Sequence, residues 1–264
     1  MPHKQLWKVT PDWKGETAYI IAGGPSVLMQ NLRVLKGRRV IVINSSYEAY
    51  PEADILFFGD KKWLNEHITR DLFRAFKGRH VTINSQEYPD MPMRRLKQVR
   101  PAKCGGFSED RTGVCGLRTN LQGAMNLAAH LGVVRIVLLG ADMKRSASGR
   151  THHHRAHPWP NKPGNRTWSI QMRELRLIAP ALAARNIEVI NTSLDSRIDW
   201  WPKMSLTQAI LLERRDIVKR NEPVLTRIAP SNMDRDAQAL QVIARLQRRG
   251  GGRMSTLPHH RRFA

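Results

Sequence analysis

"AYIIAGGPSVLMQN", residues Ala18 to Asn31, starts as an apolar run and breaks at two glycines into Gly-Gly-Pro-Ser. An unbroken apolar run of this length reads as a strand buried on both faces, and a helix-like pattern follows at once. Such a junction lets bare backbone N–H groups face an anion, since glycine permits close approach and a helix N-terminus adds partial positive charge. The stretch is neither the full G-x-G-x-x-G fingerprint nor a Walker loop, whose lysine it lacks. It reads in two ways: a nucleotide loop built from Gly23, Gly24, Pro25 and Ser26, or a tight strand-to-helix turn with Ser26 near the cap.

The same strand character recurs along the chain. RRVIVINSS and RIVLLGAD are two further buried-strand candidates, ADILFFGD and IEVINTS two more, and HVTIN a shorter sixth. Between them, LQGAMNLAAHLG places Leu121, Met125, Leu127, Ala128 and Leu131 on one helical face. SIQMRELRLIAPALAARN does the same with Met172, Leu175, Ile178, Ala179 and Leu182, and Pro180 should kink or shorten that helix. Alternating strands and helices imply a doubly wound α/β fold: a Rossmann-like parallel sheet covered on both faces. Residues 1–205 are read as this domain and 206–264 as a basic helical extension with a flexible tail. Two stretches, 88–118 and 143–168, read as long loops, the first rich in Pro and Gly, the second in His and Arg.

Composition bounds the partners. The chain has 264 residues, 41% of them apolar, enough for a substantial core. No apolar run reaches the roughly 18 residues of a membrane span, and the N-terminus has no apolar signal segment. The expectation is a soluble protein without a membrane partner. Cys104 and Cys115 are too few for a disulfide framework or a four-cysteine zinc site, so a reducing cytoplasm is expected. Forty-four Lys and Arg against 22 acidic residues leave a net charge of +22. That excess attracts polyanions, and nucleic acid is the partner it points to first.

The carboxyl ends of the strands gather polar residues where an open α/β sheet binds ligands. VINSS ends in Asn44, Ser45 and Ser46, LFFGD in Asp60, and LLGAD in Gly140 and Asp142. LRTNLQG supplies Thr119 and Asn120 at a helix start, where capping and phosphate contact look alike. HHHRAHP offers His152, His153, His154 and His157 as a general base, as a metal site, or as a cationic loop with incidental histidines. As a base, His154 or His157 takes the acceptor proton, with Asp60 or Asp142 as alternatives. Lys144, Arg145 and Arg150 follow Asp142 as fixed cations suited to an anionic ligand, so no metal is expected to be required.

IIAGGPS, VINSSY, ADILFFGDKKW and TNLQGAMNLAAHLGVVRIVLLGADM, in this order, resemble one superfamily. It contains the family 42 glycosyltransferases, which are bacterial sialyltransferases, and the MptE-like proteins, among them archaeal 6-hydroxymethylpterin diphosphokinases. Uncharacterised phage proteins share the pattern, including a GRTH…HP segment. The similarity spans roughly residues 18–196. It implies that Gly23 to Ser26, Asn44, Ser45, Thr119, Asn120, Gly140 and Asp142 surround a nucleotide, with Asp60 at a donor-binding asparagine's position. Where the sialyltransferases carry tyrosines for the leaving phosphate, this chain has Lys144, Arg145 and Arg150. Where their catalytic histidine lies, it has Pro163. These departures point away from a sialic acid donor.

The expected function is transfer of a sugar from a UDP- or CMP-type nucleotide-sugar donor to a hydroxyl, with a hydroxymethylated base in phage DNA as acceptor. The alternatives are an ATP-dependent diphosphokinase of the MptE type and a non-catalytic nucleic-acid-binding protein. Duplex DNA is expected to meet Arg94, Arg95, Lys97, Arg100 and Lys103 in one loop. Arg248, Arg249 and Arg253 in the tail should add to that contact.

Overall fold

A computed structural model describes residues 5–86, 88, 90–155 and 164–221. The chain divides into two compact units, 1–215 and 216–264.

The first unit is an α/β fold on one seven-stranded parallel sheet. Its strands are β1 (Thr17–Ile21), β2 (Arg39–Ile43), β3 (Ile55–Phe58), β4 (Arg79–Thr82), β5 (Arg94–Arg95), β8 (Arg135–Leu139) and β9 (Glu188–Asn191). Their order is β5-β4-β3-β2-β1-β8-β9, and every pairing is parallel. The chain builds outward from β1 to β5, then returns to add β8 and β9 on the other side. The order therefore reverses between β1 and β8, the crevice where open α/β sheets hold ligands.

Burial on both faces explains why these strands, apart from the edge strand β5, are apolar runs. Ala18, Ile20 and Ala22 face one core, with α4 (Asn120–His130), α5 (Asn165–Arg176) and α6 (Ala179–Ala184). Tyr19 and Ile21 face the other, with α1 (Lys61–His67), α2 (Asp71–Ala75) and the start of α7 (Leu206–Asn221). A strand covered on both sides has no solvent face on which to place polar residues. Leu206, Ala209 and Ile210 are buried in that second core, which ties the start of α7 to the sheet. The helix expected to kink at Pro180 is two helices, and Pro180 sits in the first turn of α6, where its missing N–H costs nothing.

Stretch 88–118 is more structured than a loop. It holds β5, α3 (Pro101–Cys104) and a two-stranded sheet of β6 (Lys97–Val99) with β7 (Gly113–Cys115). Strands of two or three residues leave no periodicity to read. Cys104 and Cys115 are joined in a disulfide across the return from α3 to β7, with their Cα atoms 6.4 Å apart. The cytoplasmic reading, which leaned on two cysteines being too few for a disulfide framework, loses that support.

Candidate functional site

A cleft of about 620 Å³ opens at the carboxyl ends of β1, β2, β3 and β8. Its wall takes one turn from each: Gly23 and Gly24, Asn44, Gly59 and Asp60, and Gly140 to Lys144. Thr119 and Asn120 at the start of α4, His152 and His154, and Trp168 of α5 complete it.

The Gly-Gly-Pro-Ser turn does not open an α-helix. Pro25–Met29 is a single 3-10 turn, and its donors are spent inside the protein. Gly24 N–H donates to the Gly140 carbonyl at 2.9 Å, and Ser26 N–H to Asp142 Oδ2 at 2.8 Å. Ser26 Oγ lies 2.8 Å from Ser193 Oγ. The turn after β1 thus docks onto the Gly-Ala-Asp turn after β8 and seals the switch point. Glycine is required for that approach: a Cβ on Gly24 would lie 2.3 Å from the Gly140 oxygen and 2.4 Å from Asp142 Oδ2. The Gly24 N–H is thus spent on a carbonyl inside the protein rather than bared to an anion. Gly23 and Gly24 still line the cleft, whereas Pro25 and Ser26 lie outside its lining.

Asn44 holds a left-handed backbone, φ 49°, and its Oδ1 accepts from Asn120 Nδ2 at 3.0 Å. The bond orients two amides across the gap between β2 and α4, both on the cleft wall. Thr119 caps α4 through Oγ1, and Asp60 caps α1 by accepting from Trp63 N–H at 2.9 Å. Thr119 therefore carries the structural task that sequence could not separate from ligand contact, and Asp60, expected as a donor-binding residue or alternative base, is also a helix cap. Ser45 is buried away from the lining and accepts from Trp63 Nε1 at 2.9 Å.

The histidines have separate tasks. His153 is buried, its N–H donating to the Gly23 carbonyl at 3.1 Å and its Nε2 lying 3.0 Å from Ser46 Oγ. Since the Ser46 hydroxyl donates to the Ala22 carbonyl at 3.2 Å, the His153 ring donates through Nε2–H. Burial, then the neighbouring His154, His152 and Arg150, push its pKa down to about 3. His154 Nδ1 lies 2.8 Å from the Arg155 carbonyl, which can only accept, so the neutral ring carries its lone pair on Nε2. Burial lowers the His154 pKa below the usual imidazole value, against the opposing pull of that carbonyl. A Cβ on Gly23 would stand 3.3 Å from the His152 ring and 3.8 Å from His154 Nε2, so both rings overhang the glycine floor. His157 lies outside the described residues. Among the described residues no group of three His, Cys, Asp or Glu could hold a metal ion.

Of the expected phosphate cations, Lys144 lines the cleft and pairs with Asp195. Arg145 and Arg150 are exposed beyond the lining; the Arg145 guanidinium stands 6.0 Å over the Trp168 ring. Arg118, Gln98 and Gln171 also line the cleft and carried no motif. Gln171 lies three residues after Trp168 on α5, a helical spacing that groups the two on one face. The expected nucleic-acid cations Arg94, Lys97, Arg100 and Lys103 are exposed. Arg95 is half-buried and donates to the Ser85 and Gln86 carbonyls. Arg248, Arg249 and Arg253 lie outside the described residues.

No family model and no curated protein matches the chain. Among solved structures it is similar to the sialyltransferase CstII from Campylobacter jejuni in complex with a substrate analogue, cytidine-5'-monophosphate. The two share 11% identity over 73% of this chain and 86% of that one, with a TM-score of 0.42. A likeness this distant carries no argument, and the reading of the cleft stands on its own residues.

Proposed function

We propose that the cleft binds a nucleotide-sugar donor of UDP or CMP type and transfers its sugar to a hydroxyl acceptor. The observation that carries the reading is His154: a neutral imidazole, oriented through Nδ1, that presents Nε2 over the glycine floor of a switch-point cleft. In the transfer, the acceptor O–H gives its proton to His154 Nε2 as its oxygen bonds the anomeric carbon. The bond from that carbon to the phosphate oxygen breaks, and the nucleotide leaves with the electron pair. Lys144 and Arg118 lie where they can balance the charge that develops on it. The Asn44–Asn120 pair offers oriented donors and acceptors to the ribose or base. Asp142, whose Oδ2 is tied to the turn after β1, supports the wall rather than the proton transfer.

The +22 charge and the exposed cations at 94–103 support a DNA acceptor carrying a hydroxymethylated base. The experiment is nucleotide release from UDP- and CMP-sugars, with and without hydroxymethylated DNA, by wild type and His154→Gln. Release that needs the DNA and falls about a hundredfold in the variant is expected of a general base. Release unaffected by the variant removes His154 from the chemistry, and turnover of ATP alone favours the diphosphokinase.

A further inference from the structure

The geometry points to a second binding surface, for a single nucleic-acid strand, at the opposite end of the sheet edge from the cleft. A groove of about 840 Å³ lies at the amino ends of β4 and β5, whereas the cleft touches β4 only through Ile83, beyond its carboxyl end. Arg74, Lys77, Arg79 and Arg94 line the groove, and among its described lining residues Asp90 is the one carboxylate. Arg79 is fixed by Asp12 at 3.0 Å, and Arg74 Nε donates to the Ile68 carbonyl at 3.1 Å. Lys77 and Arg94 are exposed, and no carboxylate pairs with either among the described residues. Two cations are thus anchored and two are open to exchange counterions for phosphates.

The groove also holds an aromatic platform. Tyr88 is half-buried in its lining, and its hydroxyl donates to Asn65 Oδ1, which fixes the ring. A cationic track with a fixed aromatic ring is the chemistry that holds an unpaired strand, because phosphates meet the cations while a base stacks. A duplex offers its phosphates but keeps its bases stacked inside, so it would use only half of the surface. The inference does not depend on the transfer chemistry of the cleft.

The test is fluorescence anisotropy of a labelled thymidine oligonucleotide with the full chain, at several salt concentrations. The groove variant Lys77→Glu/Arg94→Glu is compared with Arg33→Glu/Lys36→Glu, which makes the same charge change at exposed positions elsewhere. Loss of two phosphate contacts should make the slope of log affinity against log salt shallower by about 1.4 for a single strand. The control should keep the wild-type slope. Tyr88→Ala should weaken binding about tenfold, and Tyr88→Phe, which keeps the ring, should not. Equal losses in the two charge variants would overturn the inference. So would full affinity in Tyr88→Ala, or equal affinity for a duplex of the same length. Lys77→Gln/Arg94→Gln, a milder change, should show the same shallower slope and guards against a folding defect.

Discussion

His153 Nε2 meets Ser46 Oγ at 3.0 Å, and this one contact ties the histidine loop to the turn after β2. Through its backbone N–H, His153 also holds the Gly23 carbonyl, so a single buried residue couples the turns after β1 and β2 to the wall carrying His152 and His154. Ser46→Ala leaves the buried His153 donor without its partner. The expected cost is about 1–3 kcal/mol, read as a lower denaturation midpoint in urea, with Ser46→Thr closer to wild type. A midpoint unchanged in Ser46→Ala would show that the contact does not hold the loop.

The same histidine makes stability depend on acid. The unfolded imidazole takes its proton near pH 6.5, while folded His153 takes it near pH 3. Between these values the unfolded state binds more protons, so stability falls as pH drops. One group supplies a slope of up to about 1.4 kcal/mol per pH unit. Burial lowers His80, His130 and His154 too, so the slope in wild type should exceed that of one group. Urea unfolding at pH 4, 5 and 6 should show His153→Gln with a shallower slope than wild type. Equal slopes would mean that His153 is protonated in the fold.

Neighbouring glycines should respond differently to one methyl group. In Gly24→Ala the new Cβ meets the Gly140 carbonyl and Asp142, backbone and a bonded carboxylate that cannot both retreat. A loss of about 1–3 kcal/mol is expected, typical of overpacking. In Gly23→Ala the nearest neighbour is the His152 side chain at 3.3 Å, which can give way. Gly23→Ala should therefore unfold near the wild-type midpoint, while changing ligand affinity in the cleft. Thermal melts of the two variants with and without nucleotide separate the effects.

Much of this architecture is legible in the amino-acid sequence. Each of the six apolar runs is a strand, because burial on both faces writes itself as an unbroken apolar sequence. Residues at the strand ends, from Gly23 and Asn44 to Asp60, Gly140 and Asp142, meet in one cleft. What failed was local. The glycine turn looked like an anion loop because sequence cannot show that Gly24 N–H and Ser26 N–H already have acceptors across the switch point. Strands of two or three charged residues, such as Arg94–Arg95, have no period to detect. Gln98 enters the wall because it lies on the β6–β7 ribbon, which packs against α4, a long-range event without a local signal, whereas Arg118 simply precedes the cap Thr119. Ser46 and His153 are 107 residues apart, and nothing in either neighbourhood announces the other.

A base with a depressed pKa leaves a mark on rate. His154 is neutral over a wider range than free imidazole, so the acid limb of turnover against pH should have its inflection below 6.5. That limb should vanish in whatever activity His154→Gln retains. An inflection above 6.5 would assign the proton transfer to another group.

Isothermal titration of the full chain with UDP, CMP, GDP and ATP, repeated on Asn120→Ala, reads nucleotide binding in the cleft itself. A nucleotide donor site predicts binding of UDP or CMP in preference to ATP. Asn120→Ala, which breaks the amide pair with Asn44, should then bind at least about tenfold more weakly. Absence of binding by all four, or UDP and CMP affinities untouched by Asn120→Ala, would contradict the assignment of this cleft.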